Sequence, residues 1–196
     1  MRQVKTITDV ATELISKAQA KLWLKIETGD TDDDDIVTDL IVSARVAAEQ
    51  YCNRAFCTKT LELWTDEVVS GSYELELPYP PHQSITSVKS LDIKEAETEL
   101  ILNKGYYKKG LTDYILTINN PLSSGVSSKH ISPIVVRYIA GYLQTGEFQC
   151  PAEVVACMKT IIVNNYEFRE DYQETSIALI PQDVKTRLNP FRHLAI

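Results

Sequence analysis

The amino-acid sequence predicts an α+β fold: a helical core of three main helices, a β-rich insert between the second and third helices, and an extended C-terminal tail. Two observations predict this fold. Apolar residues recur at the helical period over 35–53 and again over 151–169. Between these helices, over 58–142, apolar residues alternate with polar ones, which is the period of a strand. We therefore expect a single domain over 1–170 and a separate tail over 171–196.

The N-terminal region contains two predicted elements. Residues 1–15 are weakly patterned, so we expect them to form an extended arm. Ser16 has a hydroxyl that can accept a hydrogen bond at a helix N-terminus. Apolar residues follow it at four-residue spacing, namely Ala18, Leu22 and Ile26. These features predict a short helix over 17–25 that Gly29 ends.

The second and third helices begin with residues that suit helix N-termini. The acidic run Asp32–Asp35 precedes the second helix, over 35–53. We expect these carboxylates to cap free N–H groups and to favour the positive end of the helix dipole. Pro151 precedes the third helix, over 151–169, because its fixed backbone angle suits a first helical turn.

The region between these helices is predicted to hold about six antiparallel strands, separated by turn-forming segments. Prolines at 78, 80 and 81 predict a stiff corner that takes a strand out of its sheet. Gly141 permits a backbone conformation that ends a strand. We expect the insert to form a small sheet that packs on the helices.

The tail, residues 171–196, has apolar residues that follow no clear period, apart from a short helical stretch over 181–188. We therefore expect few of its side chains to belong to the core, and we expect the monomer to fold without it.

Charge and hydropathy restrict the function. The net charge is −7, and seven acidic residues without a basic one fall within 27–39, while 1–25 are net basic. Such an acidic chain lacks the basic stripe that grips DNA phosphates. No apolar run approaches the ~18 residues that span a bilayer, and no secretory signal is evident, so we expect no membrane partner and a cytoplasmic location.

A search for catalytic and metal motifs finds none that fits. In an EF-hand loop starting at Asp30, the sixth and twelfth positions would be Asp35 and Ile41 instead of glycine and glutamate. P-loops, paired-histidine motifs and nucleophile elbows do not occur in the sequence. The four cysteines lack C-x2-C spacing, which favours reduced, buried thiols over a zinc site. The segment 105–110 (GYYKKG) favours a hairpin tip over a nucleic-acid contact. We expect no cofactor and no enzyme activity.

Several blocks of the sequence, in order, resemble a known family. They are AKLWLKI (20–26), DDDDIVTDLIVSARVAAEQYCNRAF (32–56), LPYPPHQSITSV (77–88), VRYIAGY (136–142) and CPAEVVACMKTIIVNNYEFRE (150–170). Together they resemble the head–tail connector, or adaptor, proteins of tailed bacteriophages. Relatives occur in prophages and gene transfer agents, and a part in DNA packaging has been suggested for some of them. The resemblance makes residues 1–170 a connector domain.

The resemblance implies a virion structural protein that forms a homo-oligomeric ring, dodecameric in the virion, beneath the portal protein. The ring would extend the DNA channel to the next neck or tail-completion protein, and DNA would pass through without sequence-specific binding. Before assembly the chain would reside in the host cytoplasm. A cyclic ring needs a contact between two different faces of the subunit. The self-interface predicted on this basis comprises Lys17, Lys21, Lys25, Asp32, Asp33, Asp34 and Asp35.

By the same resemblance, a C-terminal segment docks on the portal. The residues predicted to dock are Ile177, Leu179, Ile180, Phe191 and Leu194. The alternative is that the tail packs on its own subunit, and the sequence leaves both open. Two other functions compete with the connector role: a nucleic-acid-binding accessory of DNA packaging, and an enzyme whose catalytic groups assemble only in space.

Overall fold

The computed structural model describes residues 2–27, 29–65, 71–91, 97–111, 113–120, 134–143, 146, 149–168 and 180–194. The chain divides into two compact units, and both are built from separate stretches of sequence. The β unit comprises 1–11 and 58–141, and the helical unit comprises 12–57 and 142–196. The predicted α+β class is confirmed, with four helices and two antiparallel sheets among the described residues.

The helices of the helical unit follow the predicted ones closely. Their bounds are α1 Lys17–Leu24, α2 Asp34–Cys52, α3 Ala152–Glu167 and α4 Gln182–Leu188, with a 3-10 turn at Asn189–Phe191. Ser16 caps α1 as predicted: its hydroxyl accepts from the Gln19 N–H at 3.3 Å, and the Gln19 side chain accepts from the Ser16 N–H at 3.0 Å. The helix ends at Lys25 and not at Gly29, because Lys25 adopts the left-handed conformation at φ 60°.

The start of α2 differs from the prediction that its aspartates cap free N–H groups. Asp33 occupies the N-cap position but makes no side-chain cap bond. Its carboxylate instead accepts a hydrogen bond of 2.5 Å from the Tyr166 hydroxyl on α3. The aspartate therefore joins two helices instead of closing one.

The core of the helical unit is built mainly by α2 and α3. Their buried residues include Val37, Ile41, Ala44, Ala48, Cys52, Val154, Cys157, Met158, Ile161 and Ile162. Helix α4 adds Val184 and Leu188, which are both fully buried. The predicted core of three helices is therefore incomplete. The expectation that the tail contributes little to the core is wrong for α4, since a seven-residue helix buries two apolar side chains one turn apart.

A buried charge network holds the segments on either side of α2. The Arg45 guanidinium donates from Nε to both carboxylate oxygens of Glu13 at 3.0 Å, and from Nη1 to Glu49 at 3.1 Å. The other Glu49 oxygen accepts from the backbone N–H groups of Phe56 at 2.7 Å and Cys57 at 3.4 Å. Burial acts to lower the pKa of Arg45, but the two carboxylates outweigh it and raise that pKa.

The described residues of the β unit form eight strands. Their bounds are β1 Arg2–Thr8, β2 Lys59–Thr65, β3 Gly71–Glu76, β4 His82–Leu91, β5 Glu97–Glu99, β6 Tyr106–Lys109, β7 Ile115–Asn120 and β8 Ile134–Ala140. One sheet has the order β1-β2-β8-β4-β5 and the other has the order β3-β7-β6. All pairings within them are antiparallel, as predicted. The described part of 58–142 holds seven of these strands where about six were expected.

Residues 2–8 of the predicted extended arm form strand β1, which pairs with β2. Val4 lies opposite Leu63 in β2, and Lys5 lies opposite Glu62. All seven residues of β1 are exposed, so the strand has no apolar face by which a sequence pattern could reveal it.

The fully buried His82 begins β4 in the core of the β unit. Its Nδ1 accepts a hydrogen bond of 2.9 Å from the Tyr114 N–H. Its Nε2 therefore carries the hydrogen, which it donates to the Pro78 carbonyl oxygen at 3.0 Å. The Tyr138 hydroxyl donates to the same carbonyl oxygen at 2.9 Å. The predicted proline corner is thus held by side chains of the sheet, and Gly141, with φ 109°, follows β8 as predicted.

Replacement of Leu188 by Ala should destabilise the helical unit. The side chain is fully buried, so the loss of packing and the resulting cavity should cost about 2–5 kcal/mol of unfolding free energy. Urea denaturation followed by circular dichroism measures this cost. Leu194→Ala, at a side chain that is 71% exposed, is the control and should leave the midpoint unchanged. Equal midpoints for both variants would mean that α4 does not stabilise the core.

Replacement of Arg45 by Met should also destabilise the chain. It removes the guanidinium that pairs with Glu13 and with Glu49, which is 7% exposed, and breaking a buried ion pair costs about 3–5 kcal/mol. Urea denaturation at pH 7 measures the loss. The matched control is Arg187→Met, which breaks an exposed ion pair with Glu153 and should change the midpoint little. An effect of Arg45→Met no larger than the control would contradict the network's role.

Candidate assembly interface

The predicted self-interface residues include a charge cluster that closes within one chain. Lys17 lies 3.1 Å from the Asp34 carboxylate, and Lys21 forms a second ion pair with the same carboxylate. Lys21 also donates to the Asp30 backbone oxygen, and only 4% of this lysine is exposed. Hydrogen bonds from Lys21 and then Lys17 lower the pKa of Asp34 below its usual value of 3.8. Lys17, Lys21 and Asp34 therefore form their ion pairs within one subunit.

The other predicted interface residues are placed differently. Asp33 is half-buried beside Tyr166, whereas Lys25, Asp32 and Asp35 are exposed. The exposed three keep one positive and two negative charges at the surface of the helical unit. The role of the whole predicted set in a ring contact stays a prediction.

The exposed face of α1 is more apolar than the sequence pattern predicted. Leu22, expected on the buried face, is 77% exposed, while Ala20 and Lys21 are buried. Trp23 is 52% exposed, with the Lys159 ammonium 5.2 Å from its ring centroid. Sequence reasoning missed Trp23 as a surface residue. The sequence did hold an indication of this: Trp23 lies one residue after Leu22 and therefore outside the four-residue spacing of Ala18, Leu22 and Ile26.

The predicted docking residues of the tail fall into three groups. Ile177 and Leu179 lie outside the described residues. Ile180 is buried and Phe191 packs against the core of the helical unit, so both contact their own subunit. Leu194 is 71% exposed and available to a partner.

The segment around Phe191 is bonded to the end of α2. The Tyr51 hydroxyl donates to the Asn189 side-chain oxygen at 2.6 Å, and the His193 N–H donates to the Cys52 oxygen at 2.7 Å. Arg192 lies over the Tyr51 ring, 5.2 Å from its centroid. A docking role for Phe191 or Ile180 would therefore require these contacts to open.

The described residues offer little for catalysis. All four cysteines are free and buried, as predicted, and burial raises the pKa of Cys52 to about 11 and those of Cys57 and Cys150 to about 12. A cavity of about 380 Å³ in the helical unit is lined, among the described residues, by aliphatic, serine, glutamine and cysteine side chains. The described residues contain no group of three or more histidine, cysteine or acidic side chains that could hold a metal ion.

The tyrosine–lysine segment expected at a hairpin tip forms strand β6, and both of its lysines have partners within the β unit. Tyr106 is buried, and the Lys108 ammonium lies 4.2 Å from the centroid of the Tyr114 ring. Lys109 pairs with Glu74 at 2.5 Å. These contacts do not favour nucleic-acid binding at this strand. No helix among the described residues is both long and apolar enough to cross a membrane.

The fold is similar to that of chains in three solved structures of gene transfer agent particles. It is similar to a chain in the neck of an empty gene transfer agent (GTA) particle computed with C6 symmetry, at TM-score 0.73 and 16% identity. A chain in the virion of the native GTA particle matches at TM-score 0.72 and 16% identity, and one in the native neck computed with C12 symmetry at 0.64 and 15%. Each match covers 99% of this chain and 97% of the other. No curated protein sequence matches the chain.

The chain therefore shares its fold with subunits of GTA particles, including those of the neck. The chain belongs to the head completion protein family, whose sequence model matches residues 13–187. The predicted resemblance to phage head–tail connector proteins is thereby confirmed.

Replacement of Asp34 by Asn should lower the melting temperature at pH 7 by about 2–4 °C, because it removes the ion pairs with both Lys17 and Lys21. Because the folded pKa is lowered, the carboxylate stabilises the fold above pH 3.8 and this contribution is lost as the pH falls below that value. The difference between wild type and Asp34→Asn should therefore shrink in acid. Asp35→Asn, at the exposed neighbour, is the control. A difference that persists undiminished at pH 3 would show that the ion pairs are not its cause.

Proposed function

We propose that this protein assembles as a ring beneath the portal of a tailed-phage head and extends the DNA channel to the next neck or tail-completion protein. The observation that carries the proposal is the match of nearly the whole chain to subunits of GTA necks, in particles treated with C6 and C12 symmetry. Membership of the head completion protein family supports the same role. By analogy with those necks, the ring is dodecameric in the virion.

The surface chemistry of the chain suits a channel through which DNA passes. The net charge of −7 repels phosphates, so DNA would slide without sequence-specific binding. We propose a structural role without catalysis, in the virion after assembly and in the host cytoplasm before it. The unlike charges of Lys25, Asp32 and Asp35 and the exposed side chains of Leu22 and Trp23 would contribute to ring contacts on the helical unit.

For the portal, we propose docking through the C-terminal segment. Leu194 supports this because its large apolar side chain is exposed next to a segment that is bonded to α2. Burial of an exposed leucine at a partner would contribute about 1.5–3 kcal/mol, and many copies in a ring would sum these contributions. Ile180 and Phe191 pack within their own subunit and would add to the contact only if the segment rearranges. Ile177 and Leu179 belong to the same proposed docking set.

Replacement of Leu194 by Asp should abolish co-sedimentation of the full-length protein with portal-containing heads, because a charge cannot enter an apolar contact unpaired. Leu111→Asp is the matched control, since Leu111 is 88% exposed and belongs to the β unit. Electron microscopy of wild-type protein on the same heads should reveal a ring on the portal axis.

Two results would contradict these proposals separately. Normal binding by Leu194→Asp would exclude docking through this residue. Absence of any ring on the heads with the wild-type protein would exclude the connector role itself.

A further inference from the structure

The five-stranded sheet of the β unit has two edge strands that differ in length and in charge. β1 forms one end and β5 forms the other. Among the described strands, none pairs with the outer edge of β1 or of β5. An outer strand presents a row of N–H and C=O groups that can pair with another chain. The sheet therefore has two edges at which a further strand could add.

β1 lacks most of the features by which proteins protect such an edge. It is seven residues long, contains no proline, and every residue in it is exposed. Val4 and Ile7 add exposed apolar side chains, at 37% and 38%. Short strands, bulges that turn the edge away, prolines and charged side chains are the usual protection. Of these, β1 has the charged side chains of Arg2 and Lys5. The shift in register between Thr6 and Thr8 affects only the end of β1.

The two edges carry opposite charge. β1 contains Arg2 and Lys5 and no acidic residue. β5 has the sequence Glu-Thr-Glu, and all three residues are exposed. Glu97 already pairs with Lys89 of β4 at 2.6 Å, which leaves Glu99 as the more available acid. A basic edge on one copy is thus complementary to an acidic edge on another.

The direction of the strands determines which assembly such a contact would build. Neighbours in the five-stranded sheet are antiparallel throughout, so its first and fifth strands, β1 and β5, run in the same direction. Copies related by rotation about an axis along the strands would therefore join β5 to β1 in parallel. This contact uses two different edges, as a cyclic ring requires. Pairing of β1 with a second β1 would instead be antiparallel and would close a two-fold dimer.

We propose that β1 of one subunit adds to the β5 edge of its neighbour, so that the sheets of successive copies become continuous around the ring. This inference rests on the proposed ring and assigns a contact within it. β5 offers only three residues, so the backbone ladder is short and the contact depends on the pairing of Lys5 with Glu99. Cross-strand pairs of opposite charge stabilise a sheet, and like charges at the same place destabilise it.

Cysteine cross-linking of the full-length protein tests the contact. Thr6→Cys and Thr98→Cys place thiols at exposed positions of β1 and β5, whereas the four native cysteines are buried. A mixture of the two single variants, treated with a flexible bis-maleimide at high protein concentration, should give cross-linked dimers, and each variant alone should give none. The chain that carries both substitutions should give a ladder of oligomers. Thr6→Cys mixed with Lys104→Cys, at an exposed turn of the β unit, is the control.

Charge exchange then tests the chemistry of the contact. Lys5→Glu should lower the yield in the mixture about fivefold, which is the effect expected of one cross-strand charge pair. Glu99→Lys alone should do the same, and the two changes on opposite partners should restore the yield.

Three outcomes would overturn the inference: dimers from Thr6→Cys alone, a yield in the mixture no higher than in the control, or failure of the charge exchange to restore it. If rings form on heads while these cross-links are absent, only the edge contact is wrong. If no ring forms on heads, the connector proposal fails independently.

Discussion

The helical unit depends on the buried guanidinium of Arg45. Arg45 is 5% exposed, and its guanidinium pairs with Glu13 before α1 and with Glu49 on its own helix. Removing a charge from water costs several kcal/mol, so each member of this group needs the others in place. Glu49 in turn fixes the chain after α2 through two backbone N–H groups. The position of α2 relative to the segments on either side of it thus follows from electrostatics and not from apolar packing alone.

The sequence predicted best those elements that are long and that bury only one face. The helices α2 and α3 repeat their apolar positions over four turns or more, and their predicted ends lie within two residues of the observed ones. α4 has only two such positions, Val184 and Leu188, so its contribution to the core could not be recognised from a period. β1 is exposed on both faces, and only the partner strand β2 identifies it.

The sequence could predict which charged residues lie on α1 and at the start of α2, but not which of them pair with one another. Sequence alone places basic residues on α1 and acidic ones at the start of α2, but unlike charges attract within a chain as well as between copies. In the folded chain Lys17 and Lys21 both pair with Asp34. Lys21 is buried beside that carboxylate, whereas Leu22 is exposed. The structural role of His82 could not be predicted from the sequence either. Its ring accepts a hydrogen bond from Tyr114 and donates one to Pro78, and these two residues are distant from each other in sequence.

The helical unit is assembled from two stretches that the β unit separates, with α2 ending at Cys52 and α4 starting at Gln182. During synthesis on the ribosome, every strand of the β unit is therefore made before α3, and α4 comes later still. The part of the apolar face of α2 that α3 and α4 cover therefore stays exposed while about half of the chain is translated. A nascent chain in which the two halves of one unit are synthesised apart exposes apolar surface for longer than a chain of sequential domains. Chaperones or rapid elongation then protect it from misassembly.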